Sequence, residues 1–192
     1  MEEIIQKRIE ETERVKKRFL HENLPQLISM IKLIADALEN GNKLLLFGNG
    51  GSAAQAQHLA AEFVNRFLMD RPPLPAIALS TDSSILTSIG NDYSFSEVFS
   101  KQIVALGREG DIAIGISTSG NSANVIRAIE VAKEMGLETV ALTGNEGGDL
   151  AKVANYSLIV PSSSTPCIQE VHMAVVHILC EMVEAQIFKM AY

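Results

Sequence analysis

The chain has 192 residues, 47% hydrophobic and 20% charged, with 16 Lys and Arg against 23 Asp and Glu, a net charge of −7. It is apolar enough to bury a core, which excludes a mainly disordered protein. Its acidic balance excludes a sequence-independent grip on nucleic acid, which needs a density of Lys and Arg. Two cysteines, Cys167 and Cys180, exclude a disulfide framework or a zinc-finger spacing. Both are expected to pack as small hydrophobes in a reducing compartment.

Residues 1–40 read as a helical segment. Leu24, Leu27, Ile28, Ile31, Ile34, Ala35 and Leu38 recur at three- and four-residue spacing and are expected on one buried face. Gly41 suits the left-handed cap that ends it. Ile5, Ile9, Val15 and Phe19 form a thinner stripe over 2–20, expected to pack on a partner subunit. The charged N-terminus lacks the apolar core of a signal peptide. No apolar run approaches the ~18 residues of a membrane span. A cytoplasmic protein without a membrane partner is expected.

From residue 43 the texture changes. Short apolar runs at 43–47, 76–79, 111–116, 139–142 and 157–160 alternate with helical patterns at 52–67, 83–90, 94–106, 122–135, 146–153 and 167–189. The runs are unbroken rather than alternating, as in a parallel sheet covered on both faces. The last helix is expected to bury Val171, Val175, Ile178, Leu179, Met182 and Val183. This order predicts an α/β fold, a three-layer α/β/α sandwich on a five-stranded parallel sheet with right-handed crossovers, plus N-terminal helices. No repeat or linker interrupts it, so one domain over 1–192 is expected.

Two strand-to-helix loops are small and polar. Gly48-Asn49-Gly50-Gly51-Ser52 follows the first strand, and its glycines let backbone approach a ligand closely. Ser117-Thr118-Ser119-Gly120-Asn121-Ser122 follows the third, with four hydroxyls at a helix N-terminus, a cradle suited to an anion. Neither has the spacing of a dinucleotide fingerprint or a P-loop. Ser and Gly are also good turn and N-cap residues, so each loop alone is equally explained as punctuation.

His58 and Glu62, four residues apart, share one helix face. Such a pair can serve a divalent metal, the carboxylate acting as ligand or base; it can also be a surface contact. Gln169 and His177 are eight residues and about 80° apart on the last helix, so both can face one cleft. His172 lies about 140° around from His177, so one of the two is expected to be structural. Asn91-Asp92, after Gly90, makes a third polar cluster or simply a turn.

The two loops, with Gln169-Glu170-Val171-His172, resemble the SIS-fold sugar isomerases, which are flavodoxin-like, and more narrowly the phosphoheptose isomerase family, over about residues 5–188. The resemblance implies conversion of sedoheptulose 7-phosphate to D-glycero-D-manno-heptose 7-phosphate through an enediol(ate), for heptose in lipopolysaccharide or surface glycans. It implies one zinc ion per subunit, held by His58, Glu62, Gln169 and His177, with Glu62 as base and His177 as acid. The implied substrate site is Asn49, Gly50, Gly51, Glu62, Asn91, Asp92, Ser117, Thr118, Ser119, Ser122 and Gln169. A homotetramer with active sites at subunit interfaces is also implied. The chain departs from the family pattern at Gln55, where Asp is usual, and at Cys167, where Arg is usual. The alternative is a catalytically silent relative that binds the replication initiator DnaA, which Asn65-Arg66-Phe67 and residues 71–82 also resemble. That relative has Ser and Asn in place of Glu62 and His177.

Overall fold

The computed structural model describes residues 1–189. Strands β1 (Leu44–Gly48), β2 (Ala76–Ala78), β3 (Ile112–Ser117), β4 (Glu138–Gly144) and β5 (Tyr156–Val160) form one parallel sheet in the order β2-β1-β3-β4-β5. One register row runs across it through Ala78, Leu46, Ile114, Val140 and Tyr156. Because side chains alternate along a strand, Leu44, Leu46, Ile112, Ile114, Val140 and Leu142 face one core. Leu45, Phe47, Ala113 and Ala141 face the other. The first core is covered by α1 (Glu2–Glu39), α2 (Gly51–Val64) and α7 (Thr165–Phe188). The second is covered by α4 (Ser100–Leu106), α5 (Ala123–Glu134) and α6 (Gly148–Val153). This is the expected three-layer α/β/α arrangement.

The structure departs from the expected elements in three places. The N-terminal helices are one helix of 38 residues with Pro25 inside it. Proline removes a helical hydrogen bond and would ordinarily break the run. Here Phe19, Asn23, Leu27, Met30 and Ile34 are buried on both sides of it and hold the helix in line. Asn23 pins this helix to edge strand β5, its Nδ2 donating to the Ile159 carbonyl and its Oδ1 accepting from the Ile159 N–H, both at 3.3 Å. Leu24 and Ile28, expected in the buried face, are each 45% exposed. Val15 and Phe19, assigned to a partner-facing stripe, are buried within the chain, whereas Ile5 and Ile9 are exposed.

The helix expected over 94–106 is a 3-10 turn, Phe95–Glu97, followed by α4, and the interruption carries consecutive Val98 and Phe99 into the second core. Between β2 and that turn lies α3 (Ser83–Asp92), which has no buried residue. In α7, Ile178 is exposed and Met182 half-buried. By length and composition α7 could cross a bilayer, but half of that apolar stretch lies inside the protein.

His172 is the structural histidine of its helix, 1% exposed, with Nε2 donating to the Thr143 carbonyl at 3.0 Å. Burial penalises the imidazolium and pushes the pKa down to about 4, against the smaller opposing effect of that bond. A neutral folded-state histidine contributes stability that is complete above the unfolded pKa of about 6.5 and is lost as pH falls toward 4. Between pH 7.5 and 5 this group therefore costs about 2 kcal/mol. Urea unfolding at the two pH values should show that loss in the wild type and a smaller one in His172→Gln.

Candidate active site

The helices after β1 and β3 lie on opposite faces of the sheet, α2 on one and α5 on the other. The two strands are neighbours, so the chain reverses its winding between them. That is where open α/β sheets bind ligands, beyond the carboxyl ends of the strands. Both polar loops sit there. The first is tied to the start of α5, directly after the second, by reciprocal amide bonds, Asn49 Nδ2 to Asn124 Oδ1 at 2.8 Å and Asn124 Nδ2 to Asn49 Oδ1 at 2.9 Å.

In the second loop the hydroxyls converge. Ser117 Oγ lies 2.9 Å from Ser122 Oγ and 3.4 Å from Ser119 Oγ, and the Asn121 N–H donates to Ser119 Oγ at 3.1 Å. Ser117 ends β3 and Ser122 is the N-cap of α5, where its hydroxyl turns to Ser117 instead of closing on the helix. The loop is drawn so tightly against the turn before α6 that a Cβ on Gly120 would meet the Gly147 carbonyl oxygen at 2.0 Å. The carbonyl of Thr118 accepts from Asn145 Nδ2. A cavity of about 620 Å³ opens beside the loop, lined in part by Arg18, Ser119, Asn121, Asn145 and Ser162. Hydroxyls, backbone N–H groups and the α5 N-terminus suit a phosphate without a lysine. Asn91 and Asp92 bond to each other at 2.8 Å on the exposed last turn of α3, not to either loop.

Helices α2 and α7 run side by side in the same direction. His58 Nε2 lies 3.1 Å from Glu62 Oε1 and 3.3 Å from His177 Nε2, and the Phe67 ring stacks on His177 with centroids 5.8 Å apart. Two facing imidazole nitrogens share at most one proton between them. Their 3.3 Å separation is also about the edge of a tetrahedron with Zn–N arms of roughly 2.0–2.1 Å. Two imidazoles and a carboxylate suit zinc in donor type. They do not form a closed cage, since Glu62 touches His58 and not His177, and among the described residues no three His, Cys, Asp or Glu converge on one point.

Gln169 is brought elsewhere. Its amide lies over Gly51, where a Cβ would sit 2.3 Å from its Nε2. His177 is eight residues further along α7, about 12 Å of helix rise. Gln55, where the resemblance led to an expectation of Asp, donates its Nε2 to the Gln169 carbonyl at 2.7 Å, while its Oε1 is buried without a partner. Cys167 is 4% exposed and packs in the first core. The loop-bridging Asn124, and Arg71, Glu184 and Phe67 around the α2 terminus, were not apparent as site residues in the sequence. One signal was present: Glu184 falls four residues after Cys180 and eight after Val176, placing a carboxylate on an apolar face.

A family model described as the SIS domain matches residues 9–144. The chain belongs to the SIS domain family. It is 54% identical over 189 residues to the phosphoheptose isomerase of Thermodesulfovibrio yellowstonii, covering 98% of this chain and 94% of that one. It is 52% identical to the phosphoheptose isomerase of Aquifex aeolicus, over 97% and 98% of the two chains. The structure of phosphoheptose isomerase GmhA from Neisseria gonorrhoeae superposes with a TM-score of 0.91 at 43% identity, covering 96% of this chain and 98% of that one. Within the SIS family the chain is therefore one of the phosphoheptose isomerases.

Gly51 leaves room for the Gln169 amide and for nothing larger. Gly51→Ala displaces only the end of a flexible side chain, so the protein is expected to fold with its melting temperature nearly unchanged. Turnover should fall on the order of 10- to 100-fold from misplacement of that amide. Thermal unfolding and steady-state kinetics on the same preparation check both halves.

Proposed function

We infer that the chain is an aldose–ketose isomerase that converts sedoheptulose 7-phosphate to D-glycero-D-manno-heptose 7-phosphate, supplying heptose biosynthesis. The observation that carries the site assignment is the meeting of Glu62, His58 and His177 from two separate helices. A catalytically silent binding module has no chemical need for a carboxylate beside two facing imidazoles, so the initiator-binding alternative draws no support from this cluster.

In the proposed reaction the hydroxyls of Ser117, Ser119 and Ser122, with the α5 N-terminus, hold the phosphate and fix the sugar chain. The Thr118 hydroxyl adds a further donor. Asn49, Gly50, Gly51 and the Gln169 amide bound the chain beside them; Asn91 and Asp92 meet its polar groups from α3. The Glu62 carboxylate takes a proton from C1, next to the ketose carbonyl at C2, and the electron pair moves to form an enediol(ate). His177 transfers a proton between the two oxygens, and Glu62 returns its proton to C2, giving the aldose.

We also propose one zinc ion per subunit, held by His58, Glu62 and His177, with Gln169 completing the set if its amide swings from Gly51. When bound, that ion supplies electrophilic polarisation of the carbonyl oxygen. A homotetramer is supported by Ile5, Ile9, Leu20, Leu24, Ile28 and Ile178, apolar side chains exposed on α1 and α7 in the single chain. The phosphate cradle at the α5 N-terminus lies beside the loop that opens α2, and Glu62 is eleven residues after Gly51, about 16 Å of helix rise. That separation supports an active site closed between subunits, with loops of one copy facing the α2–α7 surface of another.

Glu62→Gln is expected to leave fold and phosphate binding intact while lowering turnover by about 10³-fold or more. Isomerase assays and calorimetric titration with inorganic phosphate separate the two effects, and an active Glu62→Gln enzyme overturns the assignment of the base. Dialysis against chelator should remove one metal equivalent per subunit, read by elemental analysis, and turnover with it. Added zinc should restore both.

A further inference from the structure

Glu62 and His177 belong to different helices and meet through His58, and one buried charge pair is bonded both to the end of α2 and to the loop that carries Phe67 onto His177. Arg71, in the segment between α2 and β2, and Glu184, in α7, have side chains 2% and 1% exposed and meet at 2.8 Å through Nε and Oε1. The rest of the guanidinium faces the end of α2: one terminal nitrogen donates to the Glu62 carbonyl at 2.9 Å, the other to the Phe63 carbonyl at 2.7 Å and to the Pro72 carbonyl at 3.1 Å. The last carbonyls of a helix have no partner within it, so Arg71 supplies the cap that α2 lacks from its own sequence. Glu184, on its other side, accepts from the backbone N–H groups of Phe67, Leu68 and Met69 at 3.2, 2.9 and 3.2 Å. Phe67, held by that bond, lays its ring on His177.

We propose that Arg71, Glu184 and Phe67 are positioning residues for the isomerase reaction, the first fixing the α2 turn that carries Glu62 and the other two fixing the imidazole of His177. The proposal rests on the assignment of Glu62 and His177 as base and acid. Burial pushes the Glu184 carboxyl up, but the bonds from Leu68, Arg71, Phe67 and Met69 outweigh it and hold the pKa below the usual carboxylate range, so the pair remains charged in the interior. A buried ion pair is a poor source of stability, since well-packed apolar residues of the same volume serve as well. What such residues cannot do is cap two helix carbonyls and three loop N–H groups at fixed positions. The pair touches none of the Ser117, Ser119 or Ser122 hydroxyls that hold the phosphate, so its loss should act on the reacting end of the sugar alone.

The test is steady-state kinetics on sedoheptulose 7-phosphate for Arg71→Lys, Glu184→Gln and Phe67→Leu, with Glu62→Gln alongside and circular dichroism and oligomeric state checked for each. The expected result in folded variants is a kcat lowered at least tenfold with KM within twofold of wild type. Inhibition by inorganic phosphate should be unchanged, and the ring nitrogen signals of His177 should shift in heteronuclear NMR. A kcat within twofold of wild type in folded Arg71→Lys overturns the proposal, as does a loss carried by KM alone. Where the charge-pair variants do not fold, Phe67→Leu decides, because it keeps the ion pair and every backbone bond; wild-type kcat and unmoved His177 signals there overturn the proposal. Full activity of Glu62→Gln removes the underlying assignment instead, an outcome distinct from an inactive Glu62→Gln beside a fully active Arg71→Lys.

Discussion

The parallel packing of α2 against α7 is the constraint on which the site depends. The two helices are fastened at two levels, by the Gln55 amide on the Gln169 carbonyl near their starts and by the Arg71–Glu184 pair with its backbone partners near their ends. Between those levels His58 faces His177. A slide of either helix by one residue moves its side chains by 1.5 Å along the axis and 100° around it, which would part the two rings. The fasteners are polar and directional in an otherwise apolar layer, and hydrogen bonds of this kind set a register that dispersion contacts alone leave loose.

The sheet contributes the second requirement. Its order places β1 beside β3 while their following helices leave to opposite faces, and the gap this opens at the strand ends is filled by two loops instead of a helix. The Asn49–Asn124 amide pair closes that gap. It joins the first loop to the start of α5, 75 residues on in sequence and directly after the second loop, where the Ser117, Ser119 and Ser122 hydroxyls gather. A phosphate there would meet neutral donors and a helix terminus, with the Arg18 guanidinium on the wall of the adjoining cavity.

Gln55 and Cys167 fall in this same layer. Gln55 is a neutral donor, and its bond to a carbonyl is one that an ionised carboxylate cannot make. The first turn of α7 is therefore held here by an amide, with a buried oxygen left over. Cys167 fills a core position beside it, and its small apolar side chain needs no partner there.

Much of the architecture was legible from residue order. Five unbroken apolar runs separated by amphipathic stretches admit few arrangements other than a covered parallel sheet, and the glycine and serine loops are visible as breaks in that pattern. Element ends and faces were less so. Helical period cannot tell Leu24 and Ile28, which are exposed, from Leu27, which is buried, because all three lie on one broad apolar arc and only the neighbouring helix decides which part of it is covered. His58 with Glu62 was readable because helix geometry is local. That His177 meets them, that Gln169 lies over Gly51, and that Arg71 and Glu184 hold the ends together are contacts between residues about 110 to 120 positions apart. Local periodicity carries no information on such pairs; they follow from how α2 and α7 lie on the sheet, which the packing of the whole first core decides.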